Sequence, residues 1–423
     1  MAFSSLPILI IGGGAAGLAA ARTLHAASRP FRLLEAAGHL GGRLRTTRHP
    51  EGFLLDHGFQ ILLTSYPEAR RWLGDYAGLE LRAFRSGARV RVGAEWCTVL
   101  NPLKEGVDAL GHLGGGLATW PDRLRLARLA AYVARTSTDV LLAHAPGQNA
   151  RRYLRDYGFS EQILDRFFRP FFGGVFLDRD LTPAAGLLLF LFKQFLTTDA
   201  ALPAGGIQAV GEALAAPLPV ASLRLHAPVA RLDGLTAVLA SGERVAGYAI
   251  LLATDARTAA RLLGAADPAP DGFRATTVAY YAASVSPGQG SRLLDLAPAD
   301  NSGRLVHNVA VPSDVQPTYA PAGQALISVS SHGPAAFALP TDAALDAALR
   351  AELAPWYGTA AVRAWRWLGA YHLPEALPIA EPPGGTRLAR PGVWVCGDHV
   401  AYPSFNAALA SGRQAAEAVL KMP

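Results

Sequence analysis

Three glycines near the start of the sequence and one acidic residue downstream have the types and spacing to do chemistry. Gly12, Gly14 and Gly17 separate the apolar run Pro7 to Ile11 from an Ala-rich segment. Gly12 permits a tight turn, Gly14 lets backbone approach a pyrophosphate, and Gly17 allows close packing of helix on strand. Glu35 stands eighteen residues after Gly17, where a carboxylate binds both ribose hydroxyls and disfavours a 2′-phosphate. An ordinary glycine turn is the alternative, and the motif does not choose between NAD and FAD.

The neighbouring elements must position these residues. Pro7 to Ile11 predicts a buried parallel strand, and Ala15 to Ala27 predicts a helix. The N-terminus of that helix offers unpaired N–H groups and a positive dipole end to phosphate oxygens. A second apolar strand, Phe31 to Glu35, ends on the acidic residue. Strand, turn, helix and acidic strand end fall where a dinucleotide requires them, and we interpret the segment as a dinucleotide site.

Two further glycine motifs follow in the first sixty residues. Gly41 and Gly42 precede Arg43, which makes a flexible backbone patch with a cation that suits phosphate or flavin edges. A surface turn with a solvated arginine is the alternative. His57 and Gly58 follow a predicted strand, and the glycine indicates close approach of backbone to a ligand. His57 itself is either a hydrogen-bonded structural histidine or a catalyst.

The C-terminal part of the chain repeats the arrangement of strand, polar end and helix. Gly392 to Asp398 predicts a buried strand that ends at Gly397-Asp398, and a helix of small residues follows Ser404. A second helix N-terminus with an acid beside it therefore points at a ligand. Asp398 is suited to hold a ribityl hydroxyl or one near the pyrophosphate, and an ordinary surface acid at a strand end is the alternative.

A Phe-rich stretch, 167–176, has five phenylalanines around Arg169. These residues either line an apolar substrate cavity with Arg169 as its polar anchor, or form a core between helices in which Arg169 caps a carbonyl. The surrounding region is helical in pattern from Pro121 to about Leu196. The first predicted helix has an apolar face at Leu124, Leu126, Leu129 and Val133. A second is predicted over Arg151 to Phe168 and breaks at Pro170, and a third begins at the cap Thr182-Pro183.

Strand patterns occupy most of the remaining chain. The predicted strands and strand-rich regions are a hairpin over 88–100, strands at 223–226, 228–232, 237–239 and 248–255, and a strand-rich region over 276–331. The fully apolar run 248–255 is predicted to return to the sheet of the first strand. One further helix is predicted to end at about Ala215, and another is predicted over 342–356.

The composition limits the class of protein. The chain has 423 residues, of which 51% are hydrophobic and 17% charged, which gives a globular protein with room for two or three domains. The net charge of +6 is spread along the sequence, so we expect no nucleic-acid partner, whereas a peripheral contact with anionic membrane is compatible with it.

Cysteine usage and the N-terminus indicate the compartment. Cys97 and Cys396 lack metal-ligand spacing, so we expect no metal and a reducing environment. The first strand begins without a preceding basic segment, which predicts a cytoplasmic location. The most apolar run, Leu187 to Phe192, is too short to span a bilayer.

Taken together, these residues resemble the superfamily of FAD-dependent amine oxidases, protoporphyrinogen oxidases and phytoene desaturases. The motifs that carry the resemblance are Ile10–Leu18, Leu34–Ala36, Gly41–Arg43, Asp56–Gly58, Ala253–Asp255 and Cys396–Asp398 through Ser411–Arg413. They follow the order of the family along the whole chain. The resemblance implies FAD, because an NAD enzyme has no use for the Gly-Gly-Arg patch or the C-terminal Gly-Asp helix.

The resemblance also assigns roles to residues. Glu35 would hold the adenosine ribose, the first glycines the pyrophosphate, Val229 the adenine side, Arg43 and Gly58 the flavin neighbourhood, and Asp398 the ribityl chain. The full set of implied cofactor-binding residues is Gly12, Gly14, Ala15, Ala16, Gly17, Glu35, Ala36, Gly42, Arg43, Gly58, Phe59, Val229, Ala253, Thr254, Gly397, Asp398, Ser404, Phe405, Asn406 and Ala407.

Departures from the family pattern bear on the substrate. Amine oxidases of this type carry a lysine near the flavin, and the resemblance places Thr276 there. Of the two tyrosines that cage an amine, Tyr371 matches one, and Ser404 or Phe405 stands at the other. Ala370 stands where some members attach the flavin through cysteine, so non-covalent FAD is implied. These departures therefore favour the desaturase-like branch of the superfamily over an amine oxidase.

The predicted fold class is α/β, with a discontinuous Rossmann-type FAD-binding domain and an inserted α+β substrate domain. The predicted boundaries are 1–87, 200–262 and 385–423 for the FAD-binding domain, and 88–199 and 263–384 for the substrate-binding domain. We predict an FAD-dependent oxidoreductase that transfers a hydride between FAD and a small, largely apolar substrate, prenyl, polyene or porphyrinogen-like.

Two alternatives stay open at this point. One is a flavin amine oxidase, and the other is a non-catalytic flavin- or lipid-binding redox sensor. The sequence identifies no catalytic acid or base and does not indicate the oligomeric state. Candidates for the substrate-facing wall are His57, Arg169, Tyr280 and Tyr371.

Overall fold

The computed structural model of the protein describes residues 6–111, 116–265, 272–299, 303–380 and 384–422. The described strands are β1 (Ile8–Ile11), β2 (Phe31–Leu34), β3 (Thr46–Arg48), β4 (Leu54–Asp56), β5 (Leu62–Leu63), β6 (Arg82–Ala83), β7 (Gly87–Val92), β8 (Glu95–Leu100), β9 (Ala200–Leu202), β10 (Leu223–Arg224), β11 (Val229–Asp233), β12 (Thr236–Leu239), β13 (Arg244–Ala246), β14 (Ala249–Leu252), β15 (Phe273–Ala283), β16 (Leu294–Leu296), β17 (Val306–Ala310), β18 (Ala325–His332), β19 (Arg366–Pro378), β20 (Arg387–Arg390) and β21 (Val393–Val395). The described α-helices are α1 (Ala15–Ala26), α2 (Pro67–Leu73), α3 (Pro102–Glu105), α4 (Val107–Gly111), α5 (Trp120–Arg135), α6 (Thr138–Leu142), α7 (Ala150–Asp156), α8 (Glu161–Ile163), α9 (Arg169–Phe176), α10 (Ala185–Thr197), α11 (Gln208–Ala215), α12 (Ala256–Leu263), α13 (Pro312–Val315), α14 (Asp342–Tyr357), α15 (Thr359–Ala364) and α16 (Phe405–Leu420).

The first sheet is built around β1. In the described part of the chain its six strands run in the order β10–β2–β1–β14–β21–β20, and all neighbours are parallel except β20 and β21. Every residue of β1 and of β14 is buried, as expected for strands covered on both faces. The parallel sheet confirms the predicted α/β fold class, and the pairing of β14 with β1 confirms that the 248–255 run returns to this sheet.

Helices α1 and α16 pack against this sheet and against each other at glycine. A Cβ at Gly17 would lie 1.9 Å from the carbonyl oxygen of Gly12, and a Cβ at Gly412 would lie 2.0 Å from the carbonyl oxygen of Ala16. Only glycine lets backbone approach backbone this closely. The two helix N-termini are therefore held at neighbouring places along one edge of the sheet.

The second large sheet joins the early hairpin to the strands of the 273–378 region. Within the described residues its order is β19–β15–β18–β17–β16–β7–β8. One face of this sheet packs on α14, where Ile327 and Val329 of β18 meet Leu349 and Leu353. The opposite face turns toward a large cavity. The division of the chain into two domains with the stated boundaries stays a prediction.

Two predicted helix boundaries are wrong. Pro170 does not break a helix. A π-helical turn over Leu164–Phe168 leads directly into α9, and Pro170 is the second residue of α9, so the helical path continues although the proline removes one backbone donor. Thr182 does not cap the third helix, since α10 begins at Ala185 and the Thr182 hydroxyl donates to the Asp178 carboxylate instead.

The apolar face predicted for α5 is only partly buried. Leu129 and Val133 are fully buried, whereas 68% of Leu124 is exposed. Leu126 of the same helix borders the cavity. Of the helices that the structure describes, none combines the length and hydropathy needed to cross a membrane.

The contact of α16 with α1 gives a test of the packing. Gly412→Ala adds a methyl group where Ala16 backbone stands, so we expect unfolding to become easier by about 1–3 kcal/mol, the usual cost of overpacking. Alanine's higher helix propensity, worth about 1 kcal/mol, would otherwise stabilise α16. The measurement is urea unfolding followed by circular dichroism.

Gly78→Ala is the control, because a Cβ at Gly78 meets nothing within 4 Å. We expect its unfolding midpoint to match the wild type. A Gly412→Ala protein as stable as the Gly78→Ala protein would contradict the close packing of the two helices.

Candidate functional site

One cavity of about 1560 Å³ extends from the glycine turn after β1 to the Phe-rich helix α9. Its volume exceeds the roughly 300–1,000 Å³ of an ordinary ligand pocket. Both sheets contribute walls, the first through the ends of β1 and β14 and the second through its inner face. The cavity therefore has room for a dinucleotide and a second molecule together.

The glycine turn forms one end of the cavity. Gly12 has φ of +105°, and a Cβ there would lie 2.6 Å from the carbonyl oxygen of Ala253. This position accordingly needs glycine for the fold alone. The Glu35 carboxylate accepts hydrogen bonds from the N–H groups of Gly13, at 2.6 Å, and Ala37, at 2.7 Å. These bonds fix the acidic side chain beside the turn while leaving it on the cavity wall.

Gly14 differs from Gly12 because nothing in the protein requires glycine there. Its φ of −75° is open to any residue, and a Cβ would come no closer than 4.0 Å, to the Cα of Gly42. Gly14 is also the N-cap of α1, and no side chain caps this helix. The side of Gly14 that a Cβ would occupy thus lies in front of helix N–H groups and the positive end of the helix dipole, which suits a phosphate.

An ion pair crosses the cavity wall between distant parts of the chain. The Arg43 guanidinium donates to Asp398 at 2.6 Å and to the carbonyl oxygen of Ala376 at 3.1 Å. Asp398 is buried and Arg43 is half-exposed. The nearby Asp398 carboxylate raises the pKa of Arg43 further above its usual value. The Gly-Gly-Arg and Gly-Asp motifs therefore meet at one place.

The N-terminus of α16 lies at the same edge. The Ser404 hydroxyl accepts a hydrogen bond from the Ala407 N–H at 3.0 Å, so this helix begins with a side-chain cap. Ser404 and Phe405 line the cavity. Asn406 faces away from it, because its amide oxygen accepts from the Glu68 N–H and its amide nitrogen donates to Tyr402.

The structure gathers most of the predicted cofactor residues on the cavity wall. The residues on the wall are Gly12, Gly14, Ala15, Ala16, Glu35, Ala36, Gly42, Arg43, Gly58, Phe59, Val229, Ala253, Thr254, Gly397, Asp398, Ser404 and Phe405. Three others, Gly17, Asn406 and Ala407, lie behind this wall. Whether each residue contacts a cofactor stays a prediction.

Asp56 anchors the loop that carries His57. Its buried carboxylate accepts hydrogen bonds from the Thr46 hydroxyl at 2.6 Å, the Ile207 N–H at 3.0 Å and the Tyr319 hydroxyl at 2.8 Å. Burial raises the pKa of Asp56 to about 6 in spite of these donors. The Tyr280 hydroxyl donates to the Asp56 carbonyl oxygen at 2.7 Å. Tyr280 therefore holds the loop from behind, and its side chain does not line the cavity.

His57 itself reaches the cavity wall. Its ring lies 2.8 Å from the Thr47 hydroxyl and stacks on Tyr371, with ring centroids 4.0 Å apart. Burial, with the charge of Arg45, lowers the pKa of His57 to about 4, so the ring is neutral at pH 7. Tyr371 supports His57 from outside the cavity rather than lining it.

Arg169 also lies outside the cavity. Its guanidinium donates to Asp165 at 2.7 Å and to the carbonyl oxygens of Arg179 and Ala299 at 2.9 and 3.0 Å. This is the arrangement of the alternative in which Arg169 serves the packing of helices. The phenylalanines divide between the two interpretations, since Phe171 lines the cavity while Phe168 is part of the buried core.

The chamber beyond the glycine end is walled by three helices and the inner face of the second sheet. The apolar wall residues from the helices are Leu126, Ala127, Ala130, Ala131 and Ala134 of α5, Phe171, Phe172 and Val175 of α9, and Leu191, Phe192 and Phe195 of α10. Sequence reasoning missed the alanines of α5, although their helical spacing indicates one small-residue face. It also missed Asn308, Ser330 and His332, whose alternation with apolar residues resembles a strand facing water.

Comparison with protein families gives one match over nearly the whole chain. The matching family is described as flavin containing amine oxidoreductase, and the match covers residues 15–420. No curated protein is detectably similar in sequence.

Solved structures share the fold at low sequence identity. Putrescine oxidase bound to putrescine aligns with a TM-score of 0.70 and 16% identity over 99% of each chain. A candidate protoporphyrinogen oxidase from Exiguobacterium sp. 255-15 aligns with a TM-score of 0.71 and 18% identity over 100% of each chain. Reduced UDP-galactopyranose mutase aligns with a TM-score of 0.66 and 16% identity, over 98% of this chain and 96% of its own. At such identities the alignments show the fold alone.

The parallel sheet with its glycine turn, joined to this family match, defines the class of protein as an FAD-dependent oxidoreductase. Within that class, the chain belongs to the flavin containing amine oxidoreductase family. The resemblance drawn from the motifs is thereby confirmed, and so is the expectation of FAD. The substrate is not fixed by the family.

Gly14 gives a direct test of the nucleotide end. Gly14→Ala places a methyl group on the cavity wall, where it comes no closer to protein than ordinary van der Waals contact, at 4.0 Å from the Cα of Gly42. We therefore expect wild-type stability for the cofactor-free protein and FAD affinity weakened about tenfold or more, as a steric intrusion of 1–3 kcal/mol gives. Fluorescence titration of the cofactor-free protein with FAD measures the affinity.

The Gly78→Ala variant is again the matched control, since it adds the same methyl group outside the cavity. It should bind FAD as the wild type does. Unchanged FAD affinity in Gly14→Ala would place the phosphates elsewhere.

Proposed function

We propose that the protein transfers a hydride between a largely apolar substrate and non-covalently bound FAD. The observation that carries the proposal is the continuity of the cavity. One space joins the glycine turn and Glu35 to a chamber walled by alanine, leucine and phenylalanine of α5, α9 and α10. A molecule in the chamber would lie against whatever the dinucleotide end presents to it.

The residues at the dinucleotide end fit FAD. The uncapped N-terminus of α1 and the space at Gly14 would receive the pyrophosphate, and Glu35 would hold the adenosine ribose. Arg43 and Asp398 would lie along the ribityl chain. FAD, when bound, supplies the ring that accepts or donates the hydride. The chain's own residues orient the two molecules and exclude water, and the proposal needs no side chain as acid or base.

Two observations favour an apolar carbon substrate over an amine. Thr276 lines the cavity at the position that the resemblance gives to a lysine in amine oxidases. Tyr371, the match for one tyrosine of the amine cage, lies behind His57 instead of on the cavity wall. The chamber instead offers a long apolar surface, which suits a prenyl, polyene or porphyrinogen-like molecule.

The cavity also supports non-covalent attachment. Among the described wall residues none is a cysteine, and Cys396 is buried beneath the wall, where its thiol donates to the Leu252 carbonyl oxygen. We propose further that the cofactor domain comprises 1–87, 200–262 and 385–423, and that 88–199 and 263–384 form the substrate domain. The two large sheets draw their strands from these respective segments.

Anaerobic reduction of the bound flavin tests the proposal. We expect a polyene or a porphyrinogen to bleach the visible flavin absorbance, whereas putrescine and benzylamine leave it unchanged. Ala130→Phe, which fills part of the chamber wall, should slow bleaching about tenfold or more, the effect of a steric cost above about 1.4 kcal/mol, while retaining FAD.

Each other outcome has a distinct meaning. Bleaching by amines alone would replace the proposal with an amine oxidase. A flavin that no candidate of the three classes bleaches would indicate a non-catalytic flavin protein. FAD that stays with the chain after acid precipitation would contradict non-covalent binding.

We also propose that the protein contacts anionic membrane at its surface beside the chamber. Leu103, Val107, Trp120 and Leu124 of α3, α4 and α5 are between 66% and 81% exposed, and Leu103 also borders the cavity. Arg123 stacks over the Trp120 ring at 4.7 Å. Exposed apolar side chains beside an arginine fit lipid tails and anionic headgroups.

Sedimentation with lipid vesicles tests this contact. We expect binding to vesicles of phosphatidylcholine with phosphatidylserine, and several-fold weaker binding when Trp120→Ser and Leu124→Ser are combined, because buried apolar area is lost. Val220→Ser is the control, since Val220 is 84% exposed but lies outside this patch. Equal binding by the double variant and the control would contradict the proposal.

A further inference from the structure

A row of polar side chains crosses the inner face of the second sheet, which also carries the apolar wall residues Leu294 and Leu296. The pairing of β17 with β18 sets Asn308 opposite Ser330, and the pairing of β18 with β15 sets His332 opposite Thr276. Alternate residues of a strand point to one face, so Ser330 and His332 share theirs. All four residues, here called the polar row, line the cavity.

Three atoms of the polar row lack a protein partner. Among the described residues, none hydrogen-bonds to Asn308 Nδ2, Ser330 Oγ or His332 Nε2. Only 4% of Asn308 and 2% of Ser330 is exposed. Polar groups buried this deeply nearly always have a hydrogen-bond partner, because leaving them unpaired is costly. A ligand that enters the chamber is therefore the natural source of that partner.

The hydrogen bonds around His332 determine which hydrogen-bonding group it needs on a ligand. The Thr276 hydroxyl donates to the Ser331 carbonyl oxygen at 3.0 Å, so its proton is already used. In that arrangement, the contact of 3.1 Å between the same hydroxyl and His332 Nδ1 assigns the ring proton to Nδ1. His332 Nε2 is then an acceptor and needs an O–H or N–H donor.

Asn308 needs the complementary hydrogen-bonding group on a ligand. Its Nδ2 is a donor and needs an acceptor oxygen. A hydroxyl satisfies both requirements, since it donates through its proton and accepts through its lone pairs. Charged groups fit less well, because the polar row contains no carboxylate or guanidinium and burial lowers the pKa of His332 well below its usual value, which keeps the ring neutral.

The helix that faces the polar row approaches it closely at a glycine. A Cβ at Gly174 of α9 would lie 3.0 Å from His307 Nε2 and 4.0 Å from Asn308 Oδ1. Phe171, Phe172 and Val175 of the same helix continue the apolar wall. A polar end group would thus be held at the sheet while the rest of the molecule lies among apolar side chains.

We propose that the substrate is an apolar molecule that carries a hydroxyl group, and that Asn308, Ser330 and His332 bind this hydroxyl. The inference rests on the proposed function, of which it narrows the substrate class. The polar row acts in recognition and positioning, and it sets which end of the molecule lies against the second sheet.

Binding of three matched probes to the oxidised, FAD-loaded protein tests the inference without any turnover. The probes are farnesol, farnesyl methyl ether, which lacks the donor, and farnesene, which lacks the oxygen. We expect farnesol to bind about tenfold more tightly than the ether, the value of one hydrogen bond, in equilibrium dialysis. Equal affinities for farnesol and the ether would overturn the inference.

A variant separates recognition from a structural role. Asn308→Leu replaces the unpartnered amide by an apolar group of similar size and removes a donor to the ligand oxygen, so we expect the advantage of farnesol over farnesene to fall about tenfold and the thermal unfolding midpoint to stay or rise. Ser331→Ala, on the opposite face of β18, is the control and should keep the preference for farnesol.

A destabilised Asn308→Leu protein that keeps the full preference for farnesol over farnesene would show that the amide serves the fold, and would overturn the inference. Failure of apolar compounds to bleach the flavin would count against the proposed function, while the ratio of probe affinities would remain a separate result. The two ideas can therefore fail independently.

Discussion

Contact of backbone with backbone at three glycines is the constraint on which the cofactor end depends. Gly17 brings α1 onto the turn after β1, Gly412 brings α16 onto α1, and Gly12 brings the turn onto the end of β14. A side chain at any of these positions would separate the elements. Because the elements touch, two helix N-termini and the ends of two parallel strands share one edge of the sheet, and Arg43 reaches Asp398 there.

The chamber depends on a different constraint, which is the two-sidedness of the second sheet. One face is an ordinary apolar core against α14. The other face lines the cavity instead, where α5 contributes alanines to the opposite wall. Small residues on the helices thus create the volume, and the phenylalanines of α9 and α10 set its apolar character. Arg169 contributes indirectly, by tying α9 to the segments around it.

The sequence predicted the cofactor end better than the chamber, for a physical reason. The glycines, Glu35 and Gly397-Asp398 act through backbone geometry and strand ends, which local motifs specify. The walls of the chamber are made by side chains from segments far apart in sequence, and their meeting depends on strand register. Tyr280 illustrates this limit. It was predicted to be part of the substrate-facing wall, but its hydroxyl donates to the Asp56 carbonyl oxygen. The π-helical turn before α9, which keeps Pro170 within a continuous helical path, has no local sequence signal.

The ion pair between Arg43 and Asp398 joins residues 355 positions apart, and this separation has a consequence for biosynthesis. The ribosome makes the β21 and α16 segments only after nearly all the other strands have emerged. Until then, β14 has an unpaired edge, and only α1 of the two helices lies at that edge of the sheet. Contacts of such long range form late, because their loop-closure entropy must be overcome first. The edge of the sheet that gathers both helix N-termini therefore forms only after synthesis has reached α16, and a chain interrupted before β21 would carry a glycine turn with no second half to close it.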